Sequence, residues 1–330
     1  MNTDAIRAHR QTRAVVLERF GSADVLHPAL VPLSPVGPTQ VRLRILAAAV
    51  NPVDVGTRAG HIIQGAVYPT LAARFPMVLG WDAAGVIEEV GVNVRDWRAG
   101  DRVITMVHQV ATQSGTYAEQ IVVSAEQLAP YPETLDPASA AALPLAGLTA
   151  LKAINALKLA PGEKIFINGP LGAVGRLAAR LAIHRGARVV GAVRSTEREE
   201  AQALGIEWLV ERESDFATQV RAIVGESVDA AFDVVGGAVS SATLDAVRDG
   251  GRYATVIPRL EPGPGNPVRN IIPQTIWVTP DPAGLRELSA LLAKGILSIR
   301  IGATFALDQA AEAHRLAESR TVTGKIVLIP

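Results

Sequence analysis

Over the first third of the chain, apolar positions fall in short β-branched runs broken by glycine and proline. Residues 14–17, 41–45, 84–91, 101–104 and 118–123 each read as strands. In the second of these, Val41-Arg42-Leu43-Arg44-Ile45, apolar residues alternate with arginine, the pattern of a half-buried strand. Short strands separated by turn residues predict a small, irregular β-barrel rather than a doubly wound sheet. No repeat recurs at the periods of solenoids or propellers.

The texture changes near Pro130-Tyr131-Pro132, and strands then alternate with amphipathic helices. Residues 164–168 predict a strand, followed by glycines and a helix in which Val174, Leu177, Ala178, Leu181 and Ala182 share one face. Gly186 ends that helix. A strand at 188–193, a helix at 196–204, a strand at 208–210, a helix at 216–224 and strands at 229–235 and 252–256 follow. The βαβαβ order predicts a parallel sheet with helices on both faces. Gly263-Pro264-Gly265 reads as a loop, and residues 276–279 as a sixth strand. Beyond Pro280-Asp281-Pro282 come a helix at 285–293, a short strand, a helix at 308–318 and a terminal strand at 325–329. The economical architecture inserts an α/β domain, residues 131–279, into a β-rich one made of 1–130 and 280–330.

Composition narrows the chemistry. With 330 residues, two cores are expected. Lysine plus arginine (32) balances aspartate plus glutamate (32), which gives no electrostatic reason to expect nucleic acid or an anionic membrane as partner. No cysteine is present, so disulfides, thiolate nucleophiles, iron–sulfur clusters and cysteine-containing zinc sites are excluded. The first dozen residues are polar and charged and read as a loose tail rather than a signal peptide. No apolar stretch is long enough to span a bilayer, so a soluble, cytoplasmic protein is expected.

The candidate chemistry begins at Gly169-Pro170-Leu171-Gly172-Ala173-Val174-Gly175, which follows a predicted strand and opens a predicted helix. Such a turn lets backbone N–H groups approach a pyrophosphate, and the helix N-terminus adds partial positive charge. The pattern is GxxGxxG rather than GxGxxG; its strand–turn–helix–strand context makes it a dinucleotide site. The end of the second strand bears on which dinucleotide. An NAD binder places an acid there, about twenty residues past the glycines, against the ribose hydroxyls. This chain has Arg194-Ser195-Thr196, with Arg198 beyond and Glu197 already in the predicted helix. Arginine pairs with a 2′-phosphate and serine can donate to it, which favours NADPH. The bland alternative is that Arg194 is an ordinary solvated residue.

Together with Asn51-Pro52-Val53-Asp54, Gly80-Trp81-Asp82-Ala83-Ala84-Gly85, Gly100-Asp101-Arg102-Val103, Gly115-Thr116-Tyr117-Ala118-Glu119, Leu145-Ala146-Gly147-Leu148-Thr149-Ala150 and the closing Gly324-Lys325-Ile326-Val327-Leu328, these features carry a resemblance. The chain resembles, over nearly its whole length, the zinc-free branch of the medium-chain dehydrogenase/reductase superfamily, the quinone oxidoreductase and enoyl reductase group. That resemblance implies a Rossmann domain inserted into a GroES-like barrel domain. Zinc-dependent relatives hold the metal with a cysteine before the aspartate of the first segment and a histidine in the second. Here Val53 and Trp81 stand at those places, the structural zinc lobe is missing, and His61 and His108 lie in no ligand-like cluster. No metal is therefore expected, and activated, conjugated acceptors become better candidates than simple alcohols.

The resemblance further implies that Asn51 lies beside nicotinamide and substrate, that Thr149 contacts the nicotinamide side, and that the backbone from Leu171 to Val174 cradles the diphosphate. It puts Val235 and Gly236, and Val256 and Ile257, along the adenosine and nicotinamide slots. A tyrosine common in quinone reductases is replaced by Gly56, which leaves the proton donor unassigned, with Tyr68 a compensating candidate. Trp81, Trp277 and Tyr68 are candidates to shape the acceptor pocket, expected in the cleft between the domains. Hydride transfer from NADPH to a quinone or enone is the leading expectation. An enoyl thioester reductase and a non-catalytic NADPH-binding protein stand as alternatives, and the resemblance suggests a homodimer through edge strands of the cofactor domain.

Overall fold

The computed structural model describes residues 10–65, 67–212, 215–256 and 268–330. The chain divides into two compact units. Unit 1 takes the described residues up to Leu145 with Thr279–Ala290 and Arg300–Pro330; unit 2 takes Ala146–Val278 and Leu291–Ile299.

Unit 1 is built on antiparallel strands β1 (Gln11–Leu17), β2 (His27–Pro32), β3 (Gln40–Val50), β4 (Met77–Val78), β5 (Asp82–Val90), β6 (Arg102–Met106), β7 (Gln120–Ser124) and β8 (Leu128–Pro130). Strands β1, β2 and β4 form a small sheet. In the larger one β3 is central: it pairs with β5 and β7, and β5 continues to β6 and β8. The register of β3 against β5 shifts at Arg42/Leu43 and again at Ile45/Ala47, bulges that coil the sheet as a barrel requires. Arg42 and Arg44 do alternate as the sequence predicts, but Arg42 is buried and meets Glu89 in an ion pair. Strand β1 starts at Gln11, inside the stretch read from sequence as tail; the earlier part of that tail lies outside the described residues.

Unit 2 carries strands β9 (Lys164–Asn168), β10 (Arg188–Val193), β11 (Trp208–Glu211), β12 (Val228–Asp233), β13 (Val247–Thr255) and β14 (Pro273–Thr275), all parallel, in the order β11-β10-β9-β12-β13-β14. This is a doubly wound sheet whose order reverses between β9 and β12. Buried on both faces, the centre of β9 is the apolar run Ile165-Phe166-Ile167, and Phe166 packs edge-on against Phe216 with ring centroids 5.0 Å apart. Phe166, Val190, Val210, Val220, Val228 and Tyr253 belong to one core cluster.

The sixth strand differs from expectation. It is Pro273–Thr275, not residues 276–279. Ile276 still donates its N–H to Thr255, but the Trp277 carbonyl accepts from the Lys152 ammonium and leaves the ladder. The loop expected at 263–265 lies outside the described residues. Two further strands complete unit 1: β15 (Ile301–Ala306) pairs parallel with β16 (Lys325–Ile329), which returns antiparallel to β3. No helix among the described residues is long and apolar enough to cross a membrane.

Candidate active site

In unit 2 the glycine turn joins β9 to helix α1 (Ala173–His184). Gly169 has φ +87°, open to glycine and hindered for other residues, and a Cβ there would meet Val234 and Val235 Cγ2 atoms at 2.9 Å. Gly175 is closer still to its neighbours: a Cβ would fall 2.0 Å from the Gly169 carbonyl oxygen. Gly172 caps the helix in an extended conformation, and Arg176 N–H makes the first bond of the ladder, back to Gly172 at 2.8 Å. The N–H groups of Ala173, Val174 and Gly175 precede that bond and lack intrahelical acceptors, the arrangement that receives a diphosphate. Leu171 is buried beside them. The turn fits a dinucleotide.

Across the strand reversal, Asp233 at the end of β12 is completely buried and accepts five hydrogen bonds. Oδ1 takes Asn168 Nδ2 (3.1 Å), Val235 N–H (3.0 Å) and Gly236 N–H (3.0 Å); Oδ2 takes Ser240 Oγ (2.7 Å) and Tyr253 Oη (3.0 Å). These bonds stop β12 at Asp233, two residues short of the predicted end, and bend Val235 and Gly236 into a turn at the carboxyl ends of the strands. Val235 is partly exposed there, and Gly236 and Gly237 both have positive φ. Val256 follows β13, with its N–H on the Asp233 carbonyl at 3.3 Å; Ile257 lies outside the described residues. Thr149 is buried in helix α2 (Pro144–Leu157), which the sequence reading passed over as a motif without assigning an element.

At the end of β10 the structure corrects one premise. Ser195–Glu197 form a single 3-10 turn before a helix at Arg198–Ala203, rather than one continuous helix. The Glu197 carboxylate therefore turns back, accepting the Arg194 backbone N–H at 2.9 Å and lying 3.4 Å from its guanidinium. An acid does stand at this loop, beside the arginine. Arg198 meets Glu211 at 3.1 Å.

In unit 1 the structure gathers around Asn51, a candidate from the sequence, three residues that were not candidates, Asp54, Asp82 and Lys325. The helix Pro52–Arg58 begins after Asn51, and Asp54 reaches back over that turn. Its Oδ2 accepts Asn51 N–H at 2.8 Å and its Oδ1 accepts Gly80 N–H at 3.0 Å. The Asn51 side-chain amide donates to the Ala49 carbonyl (3.3 Å) and to Asp82 Oδ2 (3.0 Å), while its Oδ1 accepts from Lys325 Nζ. Lys325 Nζ also donates to the Val50 carbonyl at 3.3 Å and lies 3.9 Å from Asp82 Oδ2. Asp82 Oδ1 takes Leu145 N–H at 2.8 Å. The pairings of β3 with β5 (Ala49 opposite Asp82) and with β16 (Ile326 opposite Val50) bring the three segments together.

All four side chains are buried. Burial raises Asp54 to about 7, opposed by the Asn51 N–H and reinforced by the charge of Asp82. Burial likewise raises Asp82 to about 6, against the pull of Lys325 and the Asn51 amide. The same desolvation lowers Lys325, against the attraction of both carboxylates. Next to this knot, Tyr117 Oη lies 3.1 Å from His314 Nε2, and burial drives that imidazole down to about 3, with Arg58 reinforcing it. The signal in the sequence was a single charge inside an apolar run: Asp82 before Ala-Ala-Gly-Val-Ile, Lys325 before Ile-Val-Leu-Ile. Such positions are buried by their neighbours and must find partners.

The pocket candidates disperse. Trp81 is buried, with the His108 ring 5.1 Å away. Tyr68 is tied by its backbone to Ile62 and Gln64, and Trp277 is half exposed on unit 2.

The first unit's mostly antiparallel sheets and the second unit's doubly wound sheet with a glycine cradle together define a nicotinamide-dependent oxidoreductase. Residues 37–133 match the alcohol dehydrogenase GroES-like domain family, and residues 205–328 match the zinc-binding dehydrogenase family. Over 96% of its length the chain is 32% identical to a 2-haloacrylate reductase of a Burkholderia species, covering 98% of that protein. It is 29% identical to the chloroplastic NADPH-dependent alkenal/one oxidoreductase of Arabidopsis thaliana, over 97% of this chain and 80% of that one. The structure of the quinone oxidoreductase from Coxiella burnetii superposes with a TM-score of 0.88, at 29% identity, covering 97% of this chain and all of that one. The chain belongs to the medium-chain dehydrogenase/reductase superfamily, in its quinone-oxidoreductase-like group. The family name of the second match raises zinc. The donor set does not fit that ion: the sequence has no cysteine, and among the described residues no three His, Asp or Glu side chains gather where a metal could be held.

Proposed function

We propose that this protein is an NADPH-dependent, metal-independent reductase that delivers hydride to a conjugated carbonyl, a quinone or an α,β-unsaturated ketone or aldehyde. The observation that carries the reading is the Gly169–Gly175 cradle at the sheet's strand reversal, where a Cβ on Gly175 would strike the Gly169 carbonyl. The nicotinamide, when bound, supplies the hydride. The chain's own residues bind, orient and shield. The helix N-terminus receives the diphosphate, and the Asp233 knot fixes the turn bearing Val235 and Gly236. On this reading Arg194, Ser195 and Arg198 engage the 2′-phosphate, with Glu197 competing for Arg194.

The acceptor class is supported by relatives whose names specify haloacrylate, alkenal/one and quinone reduction, acceptors whose conjugation takes up the incoming electron pair. Asn51, with both amide hydrogens and its oxygen already engaged inside unit 1, serves as a fixed wall rather than as a proton donor. The proton then comes from water or a hydroxyl at the site. Steady-state NADPH oxidation against enones, o-quinones and, in the reverse direction with NADP+, simple alcohols tests the proposal. Turnover confined to the conjugated acceptors is expected. Efficient alcohol oxidation, or no turnover across the panel, would overturn it.

A further inference from the structure

Asp233 is the single charge in the run Ala230-Ala231-Phe232-Asp233-Val234-Val235, and it is 0% exposed. A buried carboxylate must be answered by partners, and among the described residues no cation pairs with this one. Hydrogen bonds alone hold it, and their layout is specific. Oδ1 accepts from the amide of Asn168, which ends β9 just before Gly169, and from the N–H groups of Val235 and Gly236, in the loop after β12. One oxygen therefore ties together the two loops that flank the strand reversal, the place where doubly wound sheets take a dinucleotide. The loops also touch each other, since a Cβ on Gly169 would meet the Cγ2 atoms of Val234 and Val235 at 2.9 Å. Thr243 Oγ1 receives the same Asn168 amide at 3.2 Å and sets its orientation. The Ser240 and Tyr253 hydroxyls hold Oδ2 from the other side.

The loop after β12 needs such a tie. Gly236 and Gly237 stand at φ +73° and +70°, and neighbouring glycines have broad conformational freedom unless something outside them fixes it. Burying charge is a poor way to gain stability, because well-packed apolar residues in its place do as well or better. What three donors on one oxygen do supply is a fixed spacing between the groups that donate. We propose that Asp233 is a positioning residue for the cofactor: its Oδ1 holds the Gly169 and Val235 loops in the one arrangement that receives the dinucleotide. This role rests on the reductase reading above, and Asp233, itself sealed from the cofactor, acts through the two loops. Without the carboxylate the loops spread over several arrangements, and apparent affinity falls by the fraction of time spent in the competent one. NADPH and NADH share that loss, because it concerns the loops and not the 2′-phosphate.

The test begins with Asp233→Ala, which removes both acceptor oxygens. In fluorescence titrations well below Tm, Kd for NADPH and for NADH should rise by the same factor, on the order of 10-fold if the competent arrangement drops to about a tenth of the population. Asp233→Asn should restore both Kd values to within about twofold of wild type: its amide oxygen meets the three N–H donors, and its nitrogen meets two hydroxyls that can accept. Phe216→Leu, a change in the hydrophobic core, should lower Tm and leave both Kd values where they were, which separates positioning from stability. Wild-type Kd values in Asp233→Ala would overturn the proposal, as would a rise confined to NADPH, an equal rise in Phe216→Leu, or no recovery in Asp233→Asn. Should Asp233→Ala not fold, Asn168→Ala cuts only the tie to the β9 loop. It must then show the shared rise in both Kd values, and unchanged values would overturn the proposal. A wild type that binds both cofactors yet reduces no conjugated acceptor would instead defeat the reductase reading, with the titrations still deciding the role of Asp233.

Discussion

Replacing Lys325 by methionine removes the only cation from the Asn51–Asp54–Asp82–Lys325 knot while keeping much of its apolar length. Asp82 Oδ2 then loses its ion-pair partner 3.9 Å away, Asn51 Oδ1 loses its donor, and the Val50 carbonyl loses a 3.3 Å hydrogen bond. Breaking one side of a buried pair costs roughly 3–5 kcal/mol, because the remaining charge has no compensation. For a unit of this size that corresponds to a fall in Tm of roughly 6–20 °C. The loss should depend on pH, and in a definite direction. Asp82 stands at about 6, above its unfolded value of 3.8, with Lys325 holding it down. Without the ammonium it moves further up, and a raised carboxylate contributes stability that is present at low pH and lost as pH rises. The gap between wild type and variant should therefore be small at pH 5 and widen toward pH 8. Thermal unfolding followed by circular dichroism at both pH values reads it, with Lys325→Met/Asp82→Asn expected to recover about 1–3 kcal/mol relative to the sum of the single changes. A Tm loss of equal size at pH 5 and pH 8 would refute the assignment of Asp82 as the partner left behind.

Three other outcomes follow from the same geometry. Arg194→Ala should weaken NADPH about fivefold and leave NADH unchanged, a modest effect because an exposed ion pair contributes only about 1 kcal/mol; Glu197→Gln, which frees Arg194, should tighten NADPH, and fluorescence titration of both cofactors reads each change. Gly175→Ala forces a methyl against the Gly169 carbonyl, so it should cost about 1–3 kcal/mol of stability and weaken both cofactors together, as calorimetry would show. Asp54, raised to about 7 from 3.8, contributes stability that is present below about pH 4 and lost as pH rises to 7, so Asp54→Asn should flatten that part of the pH–Tm curve.

The cofactor domain was legible because its elements are set by local pattern. The centre of β9, Ile165-Phe166-Ile167, is apolar without interruption, and Asp215 before the helix Phe216–Val224 and Gly225 after it are its observed caps. The glycine turn was legible in part for the same reason, since Gly175 is demanded by the Gly169 carbonyl six positions earlier, whereas Gly169 answers to Val234 and Val235, which only the fold brings near. The Asn51 knot was not. Asn51 and Asp54 lie at the start of the helix that follows β3, Asp82 on β5 and Lys325 on β16, and only the sheet register brings Lys325 within reach of a residue 274 positions earlier. Glu197 misled for a smaller reason: one 3-10 turn in place of an α-turn reverses its carboxylate onto Arg194. The sixth strand was placed late because Ile276-Trp277-Val278 has strand-like residues, while the pairing partner of β13 is the less apolar Pro273–Thr275.

On the proposed reading, hydride passes from NADPH to the β-carbon of a conjugated carbonyl. This step is tested most directly by turning over an enone with NADPH deuterated at the transferable C4 position and locating the label in the product by NMR. One deuterium at the β-carbon of a saturated ketone is the expected result. Deuterium on the carbinol carbon of an allylic alcohol, or an unlabelled product, would contradict it.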